Sequence, residues 1–458
     1  MNRLRLFISA RFPMLTRIPI PVRLVGGLAL LVTTGTLLLL ATEWVSDRPL
    51  TWNEALFTTV SALTVTGLSV IAPGRDLTAA GQVVLLLLIQ LGGVGFMALA
   101  VVFFQLLGWQ LSMQNRIALR DALGLNNLRE ILRLTQRALL VLAAIELIGA
   151  VALFLHWRTF VPLPEGQIAW YALFHAVSAM CNAGFDLFGG LPQFPSGPPT
   201  DTLTLVIMCT LIFLGGIGIP VITNLLQFWR VRKLRFHVKI ALITSVVLIL
   251  FGGVALMIAE GQPGGVLADE PSLVRRFVLA TAQSVSARTA GFAWLPRFDE
   301  ITPASQFLLM TLMFIGASPA SMGGGIKTVS FAVLVLSLFA YVRGLRDVTL
   351  WRRTIGAQNI QKSAAVLTAA LFAVVTATWL LAITQDVGLD RAMFEVISAF
   401  ATCGLTLAFT AEMDVFGQLL IMFVMFWGRL GALTVVAAVA WPRRRPLVAF
   451  PEDEVLIG

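Results

Sequence analysis

Charged residues are scarce in this chain of 458 residues. Only 12% of them are Asp, Glu, Lys or Arg, about half of the roughly 25% that is usual in soluble domains. Hydrophobic residues make up 58%, and the mean hydropathy is +0.87. A water-soluble fold of this size could not bury so much apolar surface. We therefore predict an all-α, polytopic membrane protein that uses the lipid bilayer as its solvent.

Cysteine and histidine are also rare, with three of each. The odd number of cysteines and their apolar surroundings argue against a disulfide framework or a metal cluster; they are Cys181, Cys209 and Cys403. The histidines are scattered and look ordinary: His156, His175 and His237. A membrane enzyme would need His, Asp, Ser or Cys groups that converge at one depth. No such set is apparent, and we predict that the chain is not an enzyme.

Eight apolar stretches are long enough to cross about 30 Å of hydrocarbon. They lie at 24–42, 82–106, 138–156, 203–228, 240–259, 307–342, 363–383 and 416–441. The first is long for a signal peptide and lacks a clear cleavage site, so we predict a retained helix. The sixth is broken at 316–325 by Gly-Ala-Ser-Pro-Ala-Ser-Met-Gly-Gly-Gly. Only this stretch carries an evident break, and we expect the break not to belong to a shared scaffold.

Four similar strings stand between paired apolar stretches. They read SALTVTGL at 61–68, SAMCNAGF at 178–185, VSARTAGF at 285–292 and SAFATCGL at 398–405. Their glycines are 107 to 117 residues apart, which indicates an internal repeat. We predict four repeats, at 1–130, 131–235, 236–345 and 346–458. A short apolar segment precedes each string and predicts a half-helix, at 52–63, 167–180, 272–286 and 390–400.

Charge predicts how the chain crosses the membrane. Lys and Arg concentrate at the N-terminus, at the C-terminal tail and in the loops after the second, fourth and sixth stretches, whereas the intervening loops are acid-leaning. By the positive-inside rule, both termini and the basic loops are cytoplasmic. Although the net charge is +9, this distribution indicates membrane topology and not nucleic-acid binding. The half-helices then enter from outside.

The repeats predict a central pore. Each repeat has two spans, so all four are parallel and can surround an axis normal to the bilayer, unlike the inverted repeats of many transporters. Non-helical backbone at membrane depth needs a protein or water-filled lining. Four segments meeting on an axis provide one, and a ring of their carbonyl oxygens could replace the hydration shell of a potassium ion. The C-terminal ends of the half-helices would also favour a cation.

These strings resemble the four filter segments of the Trk/Ktr/HKT superfamily of potassium transporters. The broken sixth stretch, the sequence GRLG at 428–431 and the C-terminal PEDEVLIG resemble the same family, over nearly the whole chain. Because the first stretch leads directly into the first filter string, the chain is most similar to the Ktr membrane subunit, KtrB. TrkH, in contrast, has two extra N-terminal helices.

The resemblance implies a potassium-selective membrane subunit in the cell membrane. It also implies a homodimer, a pore in each protomer, and a cytoplasmic ring of KtrA-like regulatory subunits that carries the nucleotide. Potassium would bind at the filter carbonyls, with sodium as an activator. The filter residues would be Val65, Thr66, Gly67, Asn182, Ala183, Gly184, Thr289, Ala290, Gly291, Thr402, Cys403 and Gly404.

The break at 316–327 has two interpretations. On the family resemblance it is a flexible gate under the filter, and the gate residues are Gly316, Gly323, Gly324, Gly325, Lys327 and Arg429. Otherwise it is a simple helix break with a snorkelling Lys327. Arg429, a charge well inside the last span, either helps to close the gate or is a structural residue paired with backbone carbonyls.

Two further charges lie close to filter strings. Arg288 and Glu395 could form an ion pair behind the filter and hold its carbonyls against their mutual repulsion, or they could be unrelated charges. Glu146 in the third stretch is interpreted as a structural hydrogen-bonding residue. The alternative function for the whole chain is a secondary cation symporter with alternating access.

Overall fold

The computed structural model describes residues 20–44, 48–93, 128–194 and 197–431. The helices are α1 (Ile20–Glu43), α2 (Trp52–Thr64), α3 (Pro73–Asp76), α4 (Ala79–Gly93), α5 (Leu128–Trp157), α6 (Glu165–Cys181), α7 (Thr202–Ile217), α8 (Ile219–Val231), α9 (Phe236–Glu260), α10 (Leu273–Ser286), α11 (Pro303–Phe314), α12 (Thr328–Val342), α13 (Ala357–Gln385), α14 (Leu389–Ala401) and α15 (Val415–Leu430). Strands β1 (Thr349–Leu350) and β2 (Arg353–Thr354) form one small antiparallel hairpin. Single 3-10 turns occur at Phe298–Glu300 and Thr410–Glu412.

The predicted spans are found as helices, but not all as single ones. In the described part of the chain, α1, α5, α9 and α13 are long and apolar enough to cross a membrane, and α7 with α8 makes a fifth, bent span. The apolar helices α4, α11, α12 and α15 are shorter. The later parts of the second and eighth predicted stretches lie outside the described residues, as do most of the basic loop after the second stretch and the basic C-terminal tail.

Our expectation that only the sixth stretch is broken is wrong. The fourth predicted stretch bends by 103° between α7 and α8. Gly218 stands at the bend with φ 86° and ψ 153°, and Gly431 ends α15 with nearly the same angles, φ 85° and ψ 137°. The break at 316–327 is therefore not the only break among the described residues, since the second repeat has one at Gly218. Hydropathy missed that bend because the residues on both sides of it are apolar enough to read as one span.

The four half-helices are α2, α6, α10 and α14, each within two residues of its predicted bounds. The second span of each repeat packs against the half-helix of the next: α4 on α6, α7 on α10, and α11 on α14. The cycle closes because α15 packs on α2, the half-helix of the first repeat. The fold is thus four parallel repeats around one axis, as predicted, and the repeats follow one another around that axis in chain order.

The same cross-link fastens the two spans of every repeat at one end of the bundle, which we call the cap face. In each repeat, a side chain at the end of the first span is hydrogen-bonded to the residue that caps the second span. The four pairs are Glu43 with Thr78, His156 with Asp201, Glu260 with Thr302, and Gln385 with Asp414, at distances of 2.6–3.1 Å. The first and third repeats place the acid on the first span, and the second and fourth repeats place it on the cap.

We expect Glu260→Leu to lower the melting temperature of the purified protein. Glu260 is fully buried and accepts the amide protons of Val266 and Thr302, both at 2.9 Å. Losing hydrogen bonds to a buried carboxylate costs about 1.5–3 kcal/mol each in typical cases. Thermal unfolding in detergent measures the effect. Glu300→Leu is the matched control, since Glu300 is 59% exposed and pairs only with exposed Arg297; an equal loss in both variants would contradict the prediction.

Candidate ion-conduction site

The four predicted filter segments share one unusual backbone. Each glycine has a positive φ, between +69° and +97°. The residue two positions earlier also has a positive φ: Val65, Asn182, Thr289 and Thr402, at 51° to 80°. Three of these four are β-branched, for which a positive φ is a genuine outlier that costs about 1–3 kcal/mol. Strain repeated at four equivalent places indicates that the segments are held in position for a function.

The glycines form a closed ring. A Cβ atom added to Gly67 would overlap the carbonyl oxygen of Ala183 and lie 3.0 Å from the Cα of Gly184. The same relation holds from Gly184 to Ala290 and Gly291, and from Gly291 to Cys403 and Gly404. Gly404 completes the cycle, because its Cβ would overlap the carbonyl of Thr66. The four glycines are therefore neighbours in a ring around the axis. Each lies against the carbonyl of the residue that precedes the next glycine.

Each half-helix carries a buried polar residue at the same register, three positions before the serine of its own string. These residues are Thr58, His175, Gln283 and Glu395. Three of them brace the chain just beyond their glycine. His175 Nε2 lies 2.8 Å from Asp186, Gln283 accepts the Trp294 amide proton at 2.7 Å, and Glu395 accepts the Thr406 hydroxyl proton at 2.8 Å. Our expectation that His175 is ordinary overlooked this register, although the alignment of His175 with Glu395 in the repeat was visible in the sequence.

In the first repeat, Asp76 holds the chain beyond the glycine. It accepts the Ala72 amide proton and pairs with Arg48 and Arg75 at 2.8 Å. Burial by itself would raise the pKa of Asp76, but the hydrogen bonds from Arg75, Ala72 and Arg48 outweigh it and hold that pKa below its usual range. The carboxylate therefore stays ionised, and the loop stays fixed, at neutral pH.

The predicted Arg288–Glu395 ion pair is not formed. Arg288 Nη2 donates to the Gly316 carbonyl at 3.2 Å and to the Thr328 hydroxyl at 2.9 Å. Glu395 accepts from Thr406 and Thr410. Both charged groups therefore bond to neutral groups near them and not to each other. Arg288 joins Gly316, the first residue of segment 316–327, to Thr328, the residue that follows its last. Glu395 braces its own filter segment.

Segment 316–327 lies directly against two filter residues. The Gly324 amide donates to the Thr402 hydroxyl at 2.8 Å. A Cβ atom on Gly323 would overlap the Thr289 hydroxyl, so only glycine allows this approach. The segment therefore covers the ring below its third and fourth members, on the side away from the cap face. This is the place that the gate interpretation requires.

The segment also fills the bend between α7 and α8. Pro220 has no amide proton, so the Gly216 carbonyl four residues earlier loses its helical partner. The Ser318 amide donates to that carbonyl at 3.0 Å, and the Ile219 amide donates to Ala320 at 3.2 Å. The third repeat thereby satisfies the backbone groups that the bend in the second repeat leaves free.

Lys327 and Arg429 both bond to backbone carbonyls of this region. Lys327 Nζ donates to Gly323 at 2.5 Å. Arg429 donates to Met322, inside the segment, and to Gly92, in the second span of the first repeat. Arg429 has the carbonyl partners that the structural interpretation named, and one of them belongs to the candidate gate. Its contacts join the fourth repeat to the first and to the segment.

A family model described as TrkH, cation transport protein, matches residues 29–444. The chain belongs to this family. It is 35% identical over 437 residues to the Ktr system potassium uptake protein B of Vibrio alginolyticus, covering 95% of this chain and 94% of the relative. It is 32% identical over 449 residues to the potassium/sodium uptake protein NtpJ of Enterococcus hirae, covering 96% and 97%.

The fold of the TrkH family is also found by structural comparison. The chain is similar to the crystal structure of the potassium transporter TrkH from Vibrio parahaemolyticus, with a TM-score of 0.66 and 18% identity. The match covers 90% of this chain and 84% of that one. It confirms the predicted helical, multi-pass membrane architecture, to which the described residues add only the short hairpin of β1 and β2.

We expect His175→Phe to reduce discrimination between potassium and sodium several-fold and to lower the melting temperature. The ring is fully buried among aromatic residues, so Phe fits, but Asp186 loses a hydrogen-bond partner and the second filter segment loses its brace. Competition between the two cations for rubidium uptake into liposomes measures the first effect. His237→Phe, at a half-buried position outside the ring, is the control; unaltered selectivity in both variants would remove the bracing role.

Proposed function

We propose that this chain is the potassium-translocating membrane subunit of a Ktr-type uptake system. The observation that carries the proposal is the closed ring of four glycines, each against a carbonyl of its neighbour. Carbonyl oxygens aimed at an axis replace the hydration shell of a dehydrated cation. The half-helices direct their negative C-terminal ends to the same place, which favours a cation over an anion.

The ion is proposed as potassium, and sodium as an activator. Two relatives support this choice, since one is named a potassium uptake protein and the other a potassium/sodium uptake protein. In the proposed filter, the carbonyls of Thr66, Ala183, Ala290 and Cys403 form one layer. The residue before each of these supplies a second layer, on the side away from the cap face. In that layer, the hydroxyls of Thr289 and Thr402 contact the candidate gate.

Segment 316–327 is proposed as the gate. Its contact with Thr402 supports this role, because an ion leaving the ring on that side must pass the segment. Lys327 and Arg429 would add positive charge below the filter and strengthen the closed state. Arg288 would serve as the latch that keeps the two ends of the segment together while its middle moves.

The cap face is proposed as the outside of the cell membrane, with both termini cytoplasmic, in agreement with the positive-inside distribution of Lys and Arg. The proposed repeats keep the limits predicted from the sequence. The limit between residues 130 and 131 falls inside α5. The proposed assembly is a homodimer on a cytoplasmic ring of nucleotide-binding regulatory subunits. The relatives' names, which describe members of a Ktr system, support a partner of this kind.

A secondary symporter is the second candidate. The bend at Gly218, which the sequence did not reveal, favours this candidate. Broken spans in two repeats are a feature of alternating-access transporters. The parallel, cyclic packing of the repeats favours a pore instead. The two mechanisms differ in coupling, because a symporter needs net movement of the second ion whereas a pore does not.

Purified protein in potassium-loaded liposomes separates these candidates. With sodium equal on both sides, potassium leaves through a pore and makes the interior negative, which drives rubidium uptake without any sodium gradient. Flux that requires a sodium gradient, with a fixed ratio of the two ions, would establish the symporter. Uptake in potassium-starved cells with and without the co-expressed regulatory subunit tests the partner; full, ligand-controlled activity of the purified chain alone would contradict it.

A further inference from the structure

A two-residue turn connects β1 to β2 at the end of the bundle opposite the cap face. Leu350 pairs with Arg353, so Trp351 and Arg352 alone make the turn. Both have a positive φ, 48° and 60°. Turns with this backbone strongly prefer Asn-Gly, because larger side chains are strained at positive φ. A Trp and an Arg are not needed to make such a turn, and strain of this kind is typical of functional sites.

The turn folds back onto the start of α9. The Trp351 ring meets the ring of Phe236, the first residue of α9, edge-on with centroids 6.1 Å apart, and Lys239 Nζ lies 5.6 Å from the centre of the Trp351 ring. With 25 residues, α9 is about 38 Å long, whereas the hydrocarbon core is about 30 Å thick. The first turn of α9 therefore reaches the headgroup region, and Trp351 lies there with it, in the place where Trp is enriched in membrane proteins.

Basic side chains without acidic partners accompany this turn. Residues 343–362 include one acid, Asp347, and five basic residues, which are all exposed: Arg343, Arg346, Arg352, Arg353 and Lys362. Lys239 is exposed as well. Within the described part of the chain, none of these six basic side chains forms an ion pair. We call Lys239, Trp351, Arg352 and Arg353 the hairpin patch. It places uncompensated positive charge at the depth of the lipid headgroups.

We propose that the hairpin patch binds the headgroup of an anionic phospholipid such as phosphatidylglycerol. Arg352, at the tip of the turn, would donate hydrogen bonds to the phosphate, and Lys239 and Arg353 would add electrostatic attraction. The Trp351 ring, which is 48% exposed, would lie against the glycerol backbone. A phosphatidylcholine headgroup is a poorer ligand, because its choline group brings a second positive charge to a patch that already has three.

The apolar surface next to the patch also suits a lipid. The hairpin packs on α12 through Val348 and Ala340. On the last turns of the same helix, Leu338, Phe339 and Val342 are 56–74% exposed. Acyl chains can lie on these side chains while the headgroup stays on the hairpin patch. A soluble protein could reach the basic residues but would not cover an apolar surface that continues into the bilayer, so a lipid is the better occupant.

Photolabelling of the full-length protein tests the patch. The protein is reconstituted in phosphatidylcholine liposomes that contain a small fraction of phosphatidylglycerol with a diazirine close to its headgroup, and the labelled peptides are identified by mass spectrometry. We expect label in residues 236–243 and 345–355. Unlabelled phosphatidylglycerol should displace it, because the two lipids compete for one patch. Additional phosphatidylcholine should not.

Two variants separate lipid binding from folding and from net charge. Trp351→Asn combined with Arg352→Gly gives the turn the residue pair that it prefers, so the melting temperature should be equal or higher. Labelling should nevertheless fall at least about fivefold, which is the effect of one basic residue near an anionic surface. Arg158→Gln is the control, since it removes one exposed arginine at the cap face and should leave the label on the hairpin unchanged.

Each of three results would overturn the proposal. The double variant could be labelled as strongly as the unsubstituted protein, Arg158→Gln could lower the label equally, or phosphatidylcholine with the same diazirine could label the hairpin as well as phosphatidylglycerol does. A hairpin that takes no lipid label overturns it too, and protection of that hairpin from proteolysis by the co-expressed regulatory subunit would assign the patch to a protein partner. None of these measurements uses ion flux, so they stand or fail independently of the proposed function.

Discussion

Replacing Gly291 by Ser is expected to reduce discrimination between potassium and sodium by about tenfold or more, because a side chain enters the carbonyl ring. The added Cβ would overlap the Cys403 carbonyl oxygen and lie 3.1 Å from the Gly404 Cα. Backbone must then shift, since neither atom belongs to a flexible side chain. At φ +80°, the serine is also strained in itself. Gly67, Gly184 and Gly404 have the same geometry, and their serine variants should behave alike.

Backbone strain and ring disruption are separated by a matched control. Gly264 has φ +90°, yet a Cβ there meets nothing within 4 Å. Gly264→Ser therefore carries the strain of a positive φ without any overlap, and we expect its selectivity to equal that of the unsubstituted protein. Selectivity is measured as the concentration of sodium that halves rubidium uptake into liposomes. If all four ring variants match Gly264→Ser, the ring is not the filter.

Much of this arrangement was predictable because it depends on local signals. Hydropathy located the spans, and the repeated strings located the half-helices within two residues, since each ends where a glycine with positive φ is needed. The parallel orientation of the repeats followed from two spans per repeat. These features are set by composition and by spacing along the chain.

The rest depends on contacts between distant segments, which a single sequence does not display. The bend at Gly218 is stable because Ser318 and Ala320, about 100 residues later, pair with the backbone that Pro220 leaves free. The partners of Arg288 could not be predicted for the same reason: the sequence left open whether Arg288 pairs with Glu395, whereas its Nη2 donates to the Gly316 carbonyl and the Thr328 hydroxyl. The bracing residues were visible only once the serines of the four strings were aligned.

The alignment of second spans also changes the interpretation of Arg429. The sequences GGIG at 215–218 and GRLG at 428–431 are equivalent, and both end in a glycine with φ near 85°. Arg429 thus replaces Gly216, whose carbonyl accepts the Ser318 amide proton. In the second repeat the break is held by segment 316–327 through backbone bonds, and in the fourth repeat the Arg429 side chain makes the corresponding link through Met322. One segment therefore connects three repeats, which suits an element that controls the whole pore.

Deleting residues 317–325 should raise potassium flux by about tenfold or more and make it nearly independent of the regulatory subunit, on the proposal that the closed gate is a steric barrier to ion passage. The deletion removes the Gly324 amide from the Thr402 hydroxyl and so uncovers the ring from below. Arg429→Ala should change flux in the same direction but less, since it removes one bond to Met322 and one positive charge while the segment stays in place. Rubidium uptake, with and without the partner, measures both.

The deletion also removes Ser318 and Ala320 from the bend at Gly218, so the fold must be checked independently of flux. Size-exclusion chromatography and the melting temperature show whether the purified deletion variant is folded. Arg429→Ala leaves the bonds of Ser318 and Ala320 intact and therefore tests the gate independently of the bend. The two variants together separate a gate from a scaffold. If the segment is a gate, both variants have a higher potassium flux, because each change removes part of the barrier to the ion. The deletion then has the higher flux of the two. If the segment is only a scaffold, the folded variants have unchanged or lower flux, and that flux is still fully regulated. The element that closes the pore would then have to lie elsewhere on the conduction path.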